Sequence, residues 1–459
     1  MTQSFNLSRI KKTNFAFYTI TSLFFLWGFT TVLGDILVPY FKSKFNLGDT
    51  ASMLVQTTFF GAYGIGALLY YLYSIYKTDL LNLVGYKNGI LIGLGLSAFG
   101  STLFYPISFS NTYFVYLIPL FIIGLGFTIL QIACNPYVTL LGKEETASSR
   151  LNLAQGINSL GTTLAPVIGA YFLLANSDET QELGQPFLLL AVIFLIAMAF
   201  IYKQDLPDYK NNSTLSKVNL LKIPQVKLGM IAIFFYVGAE VAIGSKLVEF
   251  FTLDSIAGLS ETTAGTYVGV YWGGAMIGRL ASSFISNNEL TLSKRISYSI
   301  GSTIVTVSII LFAIYLTKGL TIFDIYPVLF FVPLQFLSLF FFKDSAAKTL
   351  SFFGLIIIVL LLTAFIFEGS IAMWSIIAIG LFNSIMWSNI FALSITGLGD
   401  KTAKASALLI IMIIGGALFP LLMGIISDNY NLQIAYLTPI IAYIYICFFG
   451  YKMINKNIK

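Results

Sequence analysis

The stretch FAFYTITSLFFLWGFTTVLGDILVPYF, residues 15 to 41, holds a single charged side chain, Asp35, in 27 positions. As an α-helix it rises roughly 40 Å, more than the roughly 30 Å of hydrocarbon in a bilayer. The run is far longer than a signal-peptide core, and no small-residue cleavage pattern follows it, so it reads as a retained transmembrane helix. The rest of the chain repeats the pattern. Hydrophobic residues make up 57% and charged residues 10%, and the mean hydropathy is +0.85, values that exclude a water-soluble domain. Both cysteines, Cys134 and Cys447, fall inside apolar runs and the chain has no His. Neither a disulfide framework nor a metal site is expected, and no cofactor.

Apolar windows place spans near 15–41, 52–76, 88–109, 111–141, 152–174 and 186–202. After a polar stretch come eight more, near 228–252, 264–286, 297–316, 325–342, 350–367, 371–396, 404–426 and 433–453. The shortest, 325–342 and 350–367, only just reach across. Charge tests the count independently, because cytoplasmic loops collect Lys and Arg. With the N-terminus inside and the spans alternating, only Lys42, Lys44 and Lys318 fall in outside loops, and Lys246 lies within a span. The other basic residues of the total of 26 are cytoplasmic. Fourteen helices with both termini inside are therefore expected. The net charge of +6 then reflects topology, and no nucleic-acid partner is needed to explain it.

Residues 203 to 227 (KQDLPDYKNNSTLSKVNLLKIPQVK) are the longest polar segment and contain two prolines, a linker between two bundles. Weak internal similarity supports a duplication. Residues 124–142 (GLGFTILQIACNPYVTLLG) align with 380–399 (GLFNSIMWSNIFALSITGLG), and GTTLAP (161–166) aligns with GGALFP (415–420).

Several of these segments resemble the fucose permease and glucose/galactose transporter family of the major facilitator superfamily. The resembling stretches are FFLWGF and GDILVPY (24 to 40), ILQIACNPYVTLLG (129–142), RLNLAQGINSLGTTLAP (150–166), YVGAEVAIGS (236–245), YWGGAMIGR (271–279), GLFNSIM (380–386) and GGALFPLLMG (415–424). They occur in family order and cover both halves. The resemblance implies an all-α integral membrane protein with the two-bundle major facilitator fold. Residues 1–202 would form a six-helix bundle, 203–227 a cytoplasmic linker, and 228–459 the second bundle. That family has twelve spans, so a helix pair near 297–342 is an insertion, and a pair preserves sidedness.

Polar groups inside spans carry the chemistry, because a charge at mid-bilayer costs at least about 2.5 kcal/mol and seldom faces lipid. Asp35 lies between Leu33, Gly34, Ile36 and Leu37. It is either a group that takes up and releases a proton during transport or a structural acid paired with a buried cation or helix end. The resemblance favours coupling, since fucose permease has a functionally required acid at the matching position. Fucose permease also carries a glutamate in its LETAANP segment where this chain has Gln131. A glutamine can hydrogen-bond a sugar hydroxyl but cannot titrate, so a proton pathway cannot be copied whole, and the likeness is nearer to the glucose/galactose branch. The plainer reading of Gln131 is an interhelical hydrogen bond.

Asn152, Gln155, Asn158, Ser159 and Thr162 form a stripe along one helix face. Side-chain amides suit carbohydrates because each offers donors and acceptors to adjacent hydroxyls. The resemblance points to Gln155 and Asn158 as substrate-cavity residues, with Asn152 nearer the cytoplasm as a cap or gate. Glu240, roughly 18 Å into its span, is a second candidate for ion coupling or a structural acid bonded to a neighbouring helix. Lys246 and Glu249, three residues apart near the outer end, read as a local ion pair at the membrane surface. Asn383 and Trp387 could face the cavity, and Trp27 and Trp272 could stack on the apolar face of a pyranose, although packing and interface belts are the commoner uses of aromatics. Arg279, closing GGAMIGR, resembles the basic gate position of facilitator transporters, or snorkels to the surface.

No GxxxxGK[ST] loop is present, so an ATP-driven pump would need another subunit. A membrane glycosyltransferase or flippase usually exposes an acidic metal-binding loop, and the acids of NSDETQELGQ (176–185) read as a solvated outer turn. The chain is thus expected to be a monomeric secondary importer of a monosaccharide in a bacterial inner membrane, not an enzyme, driven by H⁺ or Na⁺. The alternatives are a proton-coupled drug or metabolite exporter, and a transport-dead sugar sensor on the same fold.

Overall fold

In hydrocarbon every backbone N–H and C=O must bond within its own segment, so long apolar runs become helices. In the computed structural model each of the fourteen expected spans falls on helix. The structure describes residues 2–77, 80–142, 147–173, 183–207, 220–285, 287, 290–317, 324–342, 345–398 and 401–456. The acids of the 176–182 turn, Lys318 and residues 208–219 of the polar linker lie outside the described residues.

The membrane-length helices are α1 (Thr2–Phe45), α2 (Leu54–Tyr76), α3 (Tyr86–Ile107), α4 (Leu117–Leu140), α5 (Ala147–Leu173), α6 (Gly184–Lys203), α7 (Pro224–Ser245), α8 (Glu261–Ile285), α9 (Leu292–Thr317), α10 (Tyr326–Phe341) and α11 (Ala346–Ile366). Three more complete the set: α12 (Gly369–Asn383, continued by Met386–Ile395), α13 (Thr402–Ile411, continued by Gly415–Asn429) and α14 (Thr438–Lys456). Among the described residues, eleven spans are long and apolar enough by themselves to cross a membrane. The protein is a multi-pass membrane protein. Of the other three, α10 has only 16 residues, whereas α5 and α8 are long but carry the polar side chains that line the interior.

Short sequence matches between the two parts of the chain correspond to matching contacts. The glycine opening GTTLAP, Gly161 on α5, lies so close to α1 that a Cβ would collide with the Phe25 carbonyl. The glycine opening GGALFP, Gly415 on α13, meets the Phe234 carbonyl of α7 in the same way. Likewise Gly124 on α4 abuts the Phe59 carbonyl of α2, and Gly380 on α12 abuts the Tyr271 carbonyl of α8. Close approach of backbones is what small residues permit between membrane helices. The pair α9 and α10 packs outside this pattern, α9 on α8 and α10 on α12.

Several spans that read as continuous in sequence are interrupted, three of them in their interior. α7 ends at Lys246 and resumes as the short helix Leu247–Thr252, α12 breaks after Asn383, and α13 passes through one 3-10 turn, Met412–Ile414. At the α12 break, side chains occupy nearby carbonyls. Gln335 Nε2 of α10 donates to Leu381 O, and Arg279 Nε to Ser384 O at 3.1 Å. Irregular backbone at membrane depth is tolerated where protein satisfies it in this manner.

Candidate functional site

α1 and α5 cross with Gly28 against the backbone of Asn158, so close that a Cβ on Gly28 would clash. This contact brings the Asn158 amide to the Phe24 carbonyl, Nδ2 to O 3.0 Å, and turns the polar faces of both helices toward one space. That space is a central cavity of about 110 Å³. α1 contributes Trp27, Thr31 and Asp35, spaced by four residues along one face, and α5 contributes Gln155, Asn158 and Thr162. Phe60 and Tyr63 of α2 and Gln131 of α4 complete one side. Opposite stand Val237, Glu240 and Val241 of α7, Trp272 and Arg279 of α8, Trp387 of α12 and Ile413 of α13.

Asp35 is 4% exposed and accepts three hydrogen bonds from neutral donors. They come from Gln56 Nε2 at 2.9 Å and Ser245 Oγ at 3.2 Å, both to Oδ1, and from Trp272 Nε1 to Oδ2 at 3.2 Å. Among the described residues no cation pairs with it. Glu240, by contrast, accepts from Tyr236 Oη at 2.6 Å and faces the Arg279 guanidinium at 3.5 Å. Arg279 does not snorkel; it is buried, with Nη1 donating to Ser159 Oγ at 2.8 Å. The cavity thus pairs one carboxylate with a guanidinium and leaves the other among neutral donors. A carboxylate of the second kind can change its protonation state without breaking a salt bridge. Amides and aromatic faces around it can engage a polyhydroxylated solute.

The sequence model of the Major Facilitator Superfamily matches residues 17–343. The chain belongs to the major facilitator superfamily. Over 450 residues it is 39% identical to a glucose/galactose transporter of Brucella abortus, covering 96% of this chain and 94% of the relative. It is 28% identical over 465 residues to the L-fucose-proton symporter of Escherichia coli, covering 95% of this chain and 92% of that protein. Among solved structures, the major facilitator transporter FucP in its outward conformation superposes with a TM-score of 0.66 at 26% identity, over 95% of this chain and 98% of that one. The fold is that of the superfamily, whose members are transporters and not enzymes.

Within this major facilitator cavity, nine of the eleven residues singled out from sequence line one wall or another: Asp35, Glu240, Gln131, Gln155, Asn158, Trp27, Trp272, Trp387 and Arg279. Gln131 is buried, and its Oε1 has no hydrogen-bond partner among the described residues. Asn383 stands one layer behind the wall, donating from Nδ2 to Tyr271 Oη at 3.2 Å and accepting from Tyr443 Oη at 2.8 Å. Asn152 is buried on α5 outside the cavity lining. Gln56 and Tyr63 were not singled out. Gln56 is the one amide in the 52–76 span, and the rule applied to Gln131 would have found it. Ser245 and Tyr236 gave no signal, since a single hydroxyl in a span is usually satisfied by its own helix.

Proposed function

We propose that this protein is a secondary active importer of a monosaccharide, a hexose such as glucose or galactose, or fucose, coupled to a cation gradient by alternating access. H⁺ is the favoured cation and Na⁺ the competitor. The observation that carries the reading is Asp35: a buried carboxylate among neutral donors, on the wall of a cavity that also presents Gln131, Gln155 and Asn158. Its relatives named for glucose/galactose and fucose-proton transport support the same substrate class. In this scheme Asp35, with Glu240 as its charged neighbour, couples the ion. The amides and Trp27, Trp272 and Trp387 contact sugar, Asn383 supports them, and Asn152 and Arg279 gate the cavity. Residues 1–202 and 228–459 act as two bundles rocking about the site, joined by the 203–227 linker and carrying α9 and α10 as the inserted pair. The chain sits as a monomer in a bacterial inner membrane with both termini cytoplasmic.

The test is uptake of a radiolabelled monosaccharide panel by proteoliposomes under an imposed pH or sodium gradient. Accumulation of one sugar against its gradient is expected with an inward proton gradient. Absence of concentrative uptake for every sugar under either gradient overturns the importer reading.

A further inference from the structure

Lys246 is fully buried, although its position at the end of α7 suggested a surface pair with Glu249. Its Nζ lies 2.9 Å from Asp49 Oδ1 and 2.9 Å from Glu249 Oε2. Lys42 of α1 bonds the same two acids, Glu249 Oε2 at 3.0 Å and Asp49 more closely still. Ser427 of α13 donates to Asp49, and the Asp428 carboxylate accepts from the backbone N–H groups of Asp49 at 2.7 Å and Thr50 at 2.8 Å. Two cations and three carboxylates therefore join the α1–α2 connection to the ends of α7 and α13.

This cluster separates two spaces. On one side lies the central cavity with Asp35; on the other is a vestibule of about 540 Å³ lined in part by Lys42, Asp49, Glu249 and Glu261. Lys246 also follows Ser245, whose hydroxyl bonds Asp35, and the α7 helix breaks between that contact and the charges. We infer that Lys246 is the keystone of an outer gate, holding the cavity shut on the side where α1 ends. The inference rests on the transport reading and the sidedness proposed above.

The physical basis is desolvation. In the closed arrangement Lys246 is dry, and among the described residues its ion-pair partners are Asp49 and Glu249, so removing one member of the cluster leaves a buried net charge without its counter-charge. Opening rehydrates that charge, so a neutralised partner shifts the equilibrium toward the open state. Ser245 makes the gate and the Asp35 contact move on one step of chain.

The experiment uses full-length protein with Cys134 and Cys447 replaced by Ser and a single reporter, Thr31→Cys, on the cavity wall. A membrane-impermeant thiol reagent is applied to right-side-out and inside-out vesicles of this background and of its Lys246→Met, Asp49→Asn and Lys246→Arg variants. Labelling from outside is expected to rise about tenfold or more in Lys246→Met and Asp49→Asn, and to stay near the parent in Lys246→Arg. Parent-like size-exclusion profiles and thermal melting in detergent show that the variants fold. Outside labelling equal to the parent in both neutralised variants overturns the gate, as does a rise confined to inside-out vesicles. Asp35→Asn, assayed for accumulation in otherwise unaltered protein, reports on the transport reading separately, so failure of the one is distinguishable from failure of the other.

Discussion

Asp35 was legible because a lone acid between Leu33, Gly34, Ile36 and Leu37 violates the composition of everything around it. Its partners were not, since Gln56, Ser245 and Trp272 lie 21, 210 and 237 residues away and only packing brings them to one carboxylate. If Asp35 couples the ion and does not hold the sugar, Asp35→Asn abolishes accumulation while sugar exchange across the membrane persists in part. Gradient-driven uptake and counterflow in proteoliposomes separate the two, and wild-type accumulation in the variant would count decisively against the assignment. Gln131 offers a second test. With Oε1 unpartnered among the described residues, Gln131→Glu keeps a donor and an acceptor when protonated, but adds a charge to the cavity that Asp35 and Glu240 also line when ionised. Transport by this variant should match wild type at acidic pH and fall at alkaline pH. Uptake that tracks wild type across the whole pH range would place Gln131 outside the transport path.

At the scale of elements, the helices were readable from apolar run length, whereas their interruptions were not. The break in α12 falls at Asn383 and Ser384, a polar pair within GLFNSIM that does not by itself announce a break. It is stabilised by side chains of α8 and α10 that no local pattern reveals. One consequence concerns the proposed inserted pair. Gln335 of α10 is fully buried and bonds Leu381 O and Ser384 Oγ, while Ser384 O receives Arg279. Removing this amide with Gln335→Leu should loosen the break and let Arg279 shift from Glu240. Membrane hydrogen bonds contribute roughly 0.6 to 2 kcal/mol, so sugar affinity should fall roughly threefold to thirtyfold, read as a change in Kd by equilibrium binding. A lower thermal stability with unchanged Kd would show that Gln335 only packs α10 against α12.

For the molecule as a whole, the basic residues and the even number of spans carry a topological prediction. An epitope tag at either terminus should be reached by antibody only after cells are permeabilised, and a tag exposed on intact cells would break the alternation. Run length determined, without any structure, that the chain is helical and multi-pass, because each helix in hydrocarbon must satisfy its own backbone, and charge carries the expectation of fourteen crossings with both termini inside, because each loop is sorted by its own charge. The glycine pairs also hinted at the duplication, since close backbone contact leaves a local mark at Gly161 and Gly415. What only the tertiary structure decided is which polar groups meet. It paired Glu240 with Arg279, left Asp35 among neutral donors, and buried Lys246 between Asp49 and Glu249. Those outcomes depend on contacts across tens to hundreds of residues, and the cost of burying a charge is set by the partner that arrives, which no single segment contains.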